Sequence, residues 1–149
     1  MTKPTKFEII PVEELTTKGI VPDASPVLPI AFVVDDEHLI ADTLSVVLRR
    51  FGFSAFAFYD AASAQEFAVT VTPDIVISDV QMPGMNGVDL AIALRESAPE
   101  VKVLLFSGQA STADLLSKAH DNGYTFSVLA KPIHPTELLA QVSSLMGGD

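Results

Sequence analysis

The chain has 149 residues, 48% of them hydrophobic, which suits one domain with a sizeable core and excludes a disordered chain. Nineteen acids against nine Lys and Arg give a formal net charge of −10 with no basic run, so nucleic acid is not an expected partner. Cysteine is absent, which removes disulfides and thiolate chemistry; no apolar run reaches the roughly 18 residues of a membrane span, and MTKPTKFEIIPVEEL is too polar and proline-broken for a secretory signal, so the expected location is the cytoplasm.

Residues 1–28 read as a proline-rich N-terminal extension, and 29–149 as the folded domain. Five of the ten prolines (Pro4, Pro11, Pro22, Pro26, Pro29) lie within the first 29 residues and keep long elements from forming there. FEII at 7–10 could make a short strand and VEEL at 12–15 a single turn. Two readings stay open for this leader, a flexible tail or a segment that docks on the domain or on a second subunit.

From Pro29 onward, strands alternate with helices. IAFVV (30–34) has the unbroken apolar run of a strand buried on both faces. Residues 38–51 carry Leu39, Leu44, Val47, Leu48 and Phe51 at helical spacing, and Gly52 stops them. FSAFAFY (53–59) is a second strand, and Asp60 is placed to cap a helix over 61–70. DIVIS (74–78), VKVLLF (101–106) and FSVLA (126–130) are the remaining strands. Helices follow them at 88–97, 112–122 and 135–146, the last with Pro135 at its first position, where a missing N–H costs nothing. This order predicts an α/β fold with a five-stranded parallel sheet flanked by helices on both faces.

In such a sheet, ligands bind beyond the carboxyl ends of the strands. Asp35 and Asp36 follow the first strand, Asp79 the third, Ser107 and Gly108 the fourth, and Lys131 the fifth. Taken singly, each has a plain structural reading. Asp36 would cap the next helix, Ser107 would sit in a turn, and Lys131 would be a solvated charge. Together they form a rim of three carboxylates, a hydroxyl and an ammonium. Three close carboxylates repel unless protons or a cation intervene. Hard oxygen ligands without His or Cys favour Mg²⁺, which commonly shares its shell with phosphate oxygens. The histidines (His38, His120, His134) have no ligand spacing and read as surface residues.

VVDDEHLIADTL, ISDVQMPGMNGVDL, LLFSG and AKP occur in this order, with 43 residues from Asp36 to Asp79, 28 more to Ser107 and 24 more to Lys131. Residues 29–147 thereby resemble the receiver domain of two-component response regulators. The resemblance implies a flavodoxin-like (βα)5 fold with strand order 2-1-3-4-5. It implies that Asp79 accepts a phosphoryl group from a histidine kinase or phosphotransfer protein. Asp36, Asp79 and the backbone carbonyl of Gln81 would then hold Mg²⁺ (or Mn²⁺), with Asp35 acting through water. Ser107, Gly108 and Lys131 would bind the phosphoryl oxygens, and Gln81 and Gln109 would tune hydrolysis. On this view Asp79 is exposed at the rim, and Met82-Pro83-Gly84 turns the chain away from it.

One position departs from the family. The family usually carries an aromatic residue three places before the lysine, and here that place holds Val128. A β-branched side chain is stiff at χ1 and cannot swing as a ring can. The expected output is a shift between two conformations, read by a downstream protein partner or passed on in a relay. The output surface would lie on helix 4, strand 5 and helix 5, where a homodimer could also form. Only Gly-Gly-Asp follows the last helix, so no effector domain is expected and no enzyme activity beyond self-modification. Two alternatives remain: a degenerate receiver that binds proteins without phosphorylation, and an aspartyl-nucleophile phosphatase. The phosphatase lacks its usual second acid, since Gln81 stands two residues after Asp79.

Overall fold

The structure, a computed structural model, describes residues 27–108 and 112–147. The expected strand at 7–10, the turn at 12–15 and Gln109 lie outside the described residues. In chain order the elements are β1 (Ile30–Val34), α1 (His38–Arg50), β2 (Ser54–Phe58), α2 (Ala61–Ala68), β3 (Ile75–Asp79), α3 (Gly87–Ser97), β4 (Lys102–Ser107), α4 (Thr112–Asp121), β5 (Ser127–Ala130) and α5 (Pro135–Leu145). The strands form one sheet in the order β2-β1-β3-β4-β5, and every pairing is parallel. This is the α/β architecture and strand order expected above.

The apolar strands are read twice, once on each face. Phe32, Val34, Val76, Val103 and Leu105 pack with Ala64, Leu90, Leu94 and Ala119 under α2, α3 and α4. Their neighbours Ala31, Val33, Ile75, Ile77, Leu104 and Phe106 pack with Leu44, Leu48, Leu138 and Val142 under α1 and α5. Side chains alternate across a strand, so a strand covered on both faces is apolar along most of its run; in β3 the buried Ser78 is satisfied by donating its hydroxyl to the Asp79 carbonyl at 2.9 Å. Helix ends follow from local chemistry. Asp60 Oδ1 accepts from the Ser63 N–H at 2.7 Å and caps α2. Asn86 Oδ1 accepts from the Asp89 N–H at 2.8 Å and caps α3. Pro135 occupies the start of α5, as its missing N–H predicts.

Several boundaries differ from the sequence reading, and two matter for the site. Asp79 and Ser107 are the last residues of β3 and β4 rather than the first beyond them, because each pairs in register, Asp79 with Phe106 and Ser107 with Ala130. Helix α2 ends at Ala68 and not at residue 70. The remaining ends agree or differ by one residue. Among the described residues, no helix is long and apolar enough to cross a membrane.

Candidate functional site

The rim at the carboxyl ends of β1, β3 and β5 collects the charged residues. Asp35 continues the inward-facing series Ala31 and Val33, and Asp79 continues Ile75 and Ile77. Both carboxylates therefore fall on the α1/α5 side of the sheet. Lys131 follows β5 and is fixed by its N–H, which donates to the Ser107 carbonyl at 3.0 Å. Its ammonium lies 3.2 Å from Asp79 Oδ2, 3.4 Å from Asp35 Oδ2 and 3.8 Å from Glu37 Oε1.

Burial differs sharply within this cluster. Asp35 is 0% exposed and Asp79 5%, whereas Asp36 is exposed. Asp79 is thus not the exposed rim group that the sequence suggested. It forms the floor of the site, because its strand is central and flanked by β1 and β4. Burial pushes the Asp79 carboxyl above the ordinary range, and the nearby Asp36 charge adds to this, with Lys131 opposing. Burial likewise raises Asp35, against the pull of the Glu37 N–H and of Lys131. Desolvation draws Lys131 down, but the facing Asp35 and Asp79 charges more than offset it and hold the ammonium protonated.

Asp35 Oδ1 accepts from the Glu37 N–H at 2.8 Å. Its buried Oδ2 makes no hydrogen bond among the described residues, and its 3.4 Å contact with the ammonium is ionic attraction only. A buried carboxylate oxygen left this way asks for a further positive partner. Asp35, Asp36 and Asp79 can each offer an oxygen within 4.8 Å of the others. Hard, anionic and oxygen-only, this set fits a divalent ion such as Mg²⁺. Gln81, two residues beyond the acid, is half-buried beside it in sequence.

The turn after Asp79 is shaped by two glycines. Gly84 has φ +78°, a conformation that side chains resist. Gly87 opens α3 directly against the acid. Its N–H donates to the Val80 carbonyl at 2.9 Å, and a Cβ there would lie 2.1 Å from the Asp79 carbonyl oxygen. Sequence reasoning missed Gly87 and began the helix at 88. The signal was the Asn-Gly pair before an apolar helix, read only as part of a motif.

The β4 and β5 ends complete the site. Ser107 is paired through its hydroxyl with Thr112, the first residue of α4. Gly108 runs beside Lys131, where an added Cβ would meet the Lys131 Cβ at an ordinary 3.6 Å. Val128 is 40% exposed on β5. The two aromatic residues near it are engaged elsewhere. Phe126 packs on the α2/α3/α4 side beneath the Arg95 guanidinium, 5.3 Å from its ring, and the Tyr124 hydroxyl donates to Glu96 at 3.3 Å.

Comparisons with known proteins agree with this geometry. The family model described as the response regulator receiver domain matches residues 31–143. The chain belongs to the response regulator receiver family. It is 32% identical over 110 residues to the DNA-binding response regulator MtrA of Mycobacterium leprae, covering 74% of this chain and 48% of that protein. It is 27% identical over 143 residues to the alkaline phosphatase synthesis transcriptional regulatory protein SphR of Synechococcus elongatus, covering 90% and 55%. The chain therefore spans about half the length of the curated relatives it matches. Among solved structures, the chemotaxis protein CheY4 of Vibrio cholerae superposes with a TM-score of 0.71 at 25% identity, covering 80% of this chain and 99% of that one. A receiver domain of Methanospirillum hungatei gives 0.75 at 21% identity, covering 81% and 95%, a likeness of fold.

Proposed function

We propose that this receiver domain works by phosphorylation of Asp79. The observation that carries the reading is the Asp79 carboxylate at the floor of the acidic rim, 3.2 Å from the Lys131 ammonium and within reach of two further carboxylates. A carboxylate oxygen of Asp79 attacks the phosphorus of a phosphohistidine on a sensor kinase or phosphotransfer protein. The P–N bond breaks, its electron pair returns to the imidazole, and an acyl phosphate forms on Asp79. When bound, Mg²⁺ (or Mn²⁺), held by Asp36, Asp79 and the Gln81 carbonyl with Asp35 through water, offsets negative charge on the transferring group. Lys131 exchanges its Asp79 contact for a phosphoryl oxygen, and Ser107 turns its hydroxyl towards another. The domain acts as a phosphorylated switch for a protein target or as a step in a relay, with no turnover of other substrates. The face formed by α4, β5 and α5 carries the output, to a target or to a second copy of the chain.

Incubation with acetyl phosphate and Mg²⁺ tests this reading. Intact-mass spectrometry is expected to find one added phosphoryl group, and none once the metal is chelated. A protein that stays unlabelled at saturating acetyl phosphate with Mg²⁺ present would favour instead a receiver that binds its partner without phosphorylation.

Lys131→Ala is expected to keep the fold, since the side chain is anchored by charge and not by the core. Its response to beryllofluoride, a phosphoryl mimic, is expected to vanish. Identical amide shifts in wild type and variant after beryllofluoride addition would remove Lys131 from the switch.

A further inference from the structure

Ser107 continues the series Val103 and Leu105, so its side chain falls on the α3/α4 side of the sheet, while Asp79 falls on the α1/α5 side. Its hydroxyl is bonded to that of Thr112. Thr112 is 4% exposed, and with Ala119 it is one of the two buried residues of α4. A buried hydroxyl needs a partner, and losing one leaves the desolvation cost uncompensated. The hydroxyl pair thus ties the end of β4 to one of the two buried residues of α4, which Leu115 and Leu116 also seat against the core.

Val128 lines the same open hollow as Ser107, Thr112 and Leu116, and its short, stiff side chain cannot report a change at Ser107 by swinging between buried and exposed positions. Phe126 and Tyr124 are held by Arg95 and Glu96 and cannot replace it. The hydroxyl of Thr112 is in direct contact with the group that has to move.

We propose that Thr112 is a positioning residue that latches Ser107 in the resting state and relays its departure to α4. This rests on the phosphoacceptor reading of Asp79. When Ser107 donates to a phosphoryl oxygen, the bond to Thr112 breaks. The buried Thr112 hydroxyl then has to find another partner, and the first turn of α4 moves to supply one. The latch opposes activation, so its removal favours the active form.

Thr112→Val keeps the side-chain volume and deletes the hydroxyl. With Mg²⁺ present and no mimic, the amide signals of residues 113–121 in Thr112→Val are expected to lie part-way along the path that beryllofluoride draws in the wild type. The beryllofluoride midpoint is expected to fall about fivefold, the factor equivalent to about 1 kcal/mol for one hydrogen bond. Thr112→Ser, which restores a hydroxyl, is expected to return both readings to wild type. Thr112→Ala reads the same loss if the extra valine methyl does not fit. Wild-type shifts in the valine and alanine variants, or a midpoint unchanged or raised, would overturn the latch. So would a serine variant that behaves like valine, because the effect would then be packing. A wild type that gives no beryllofluoride response at all would defeat the Asp79 reading itself, and the latch with it.

Discussion

Asp79→Asn is expected to fold, to melt about 2–4 °C higher than the wild type in chelated buffer at neutral pH, and to take no phosphoryl group from acetyl phosphate. The gain in melting temperature corresponds to about 1 kcal/mol in a chain of this size. Asparagine has the shape of aspartate but no nucleophilic carboxylate, so the label is lost without disturbing β3. Its stability gain follows from electrostatics. Burial and the Asp36 charge raise the Asp79 carboxyl above its unfolded value. The folded state therefore binds this proton more readily than the unfolded one. Stabilisation from the group is full below the unfolded value and is lost as pH rises through the folded value. Asparagine does not titrate. Its advantage over the wild type should be smallest in acid and grow towards neutrality, a trend that thermal melts across pH would follow. A constant difference at every pH would mean that Asp79 carries no strain from its charge.

Gly87→Ala is expected to be among the most damaging single-methyl changes in the domain. The new Cβ would lie 2.1 Å from the Asp79 carbonyl oxygen and 2.9 Å from Ser78 Oγ. The first neighbour is backbone in a central strand, so it cannot rotate aside as a side-chain tip can. Relief requires α3 to move off β3, and with it Leu90, Ala91 and Leu94 from their shared core. The cost is about 3 kcal/mol, or a fall of about 10 °C in melting temperature. The displaced strand end also carries Asp79, the proposed acceptor, so labelling by acetyl phosphate should slow as well. A variant with wild-type melting and labelling would show that α3 does not need to approach Asp79 so closely.

The sheet was legible because parallel strands buried on both faces read as mostly apolar runs. IAFVV and VKVLLF could hardly be anything else, and the acids and the lysine that end such runs had to meet at one edge. What the sequence could not convey was depth. Asp79 and Asp36 are both acids near the carboxyl ends of strands, yet one lies at the floor of the site and the other is exposed. The difference comes from where the chain leaves the sheet: Asp79 is still paired with Phe106 inside β3, whereas β1 ends at Val34 and Asp36 lies two residues beyond it. Gly87 escaped notice because its requirement is a distance to a carbonyl eight residues earlier in the chain. The bond from Ser107 to Thr112 depends on how the chain re-enters α4, and no spacing rule encodes that. Nor does any spacing show that Phe126 and Tyr124, near Val128 in the chain, are tied to Arg95 and Glu96.

The most direct measurement locates the phosphoryl group on the chain. After treatment with acetyl phosphate and Mg²⁺, borohydride reduces an acyl phosphate and leaves homoserine in place of the phosphorylated aspartate. Peptide mass spectrometry is expected to find homoserine at Asp79 and unmodified residues at Asp35 and Asp36. Homoserine at either of those two residues, or at none of the three, would contradict the assignment.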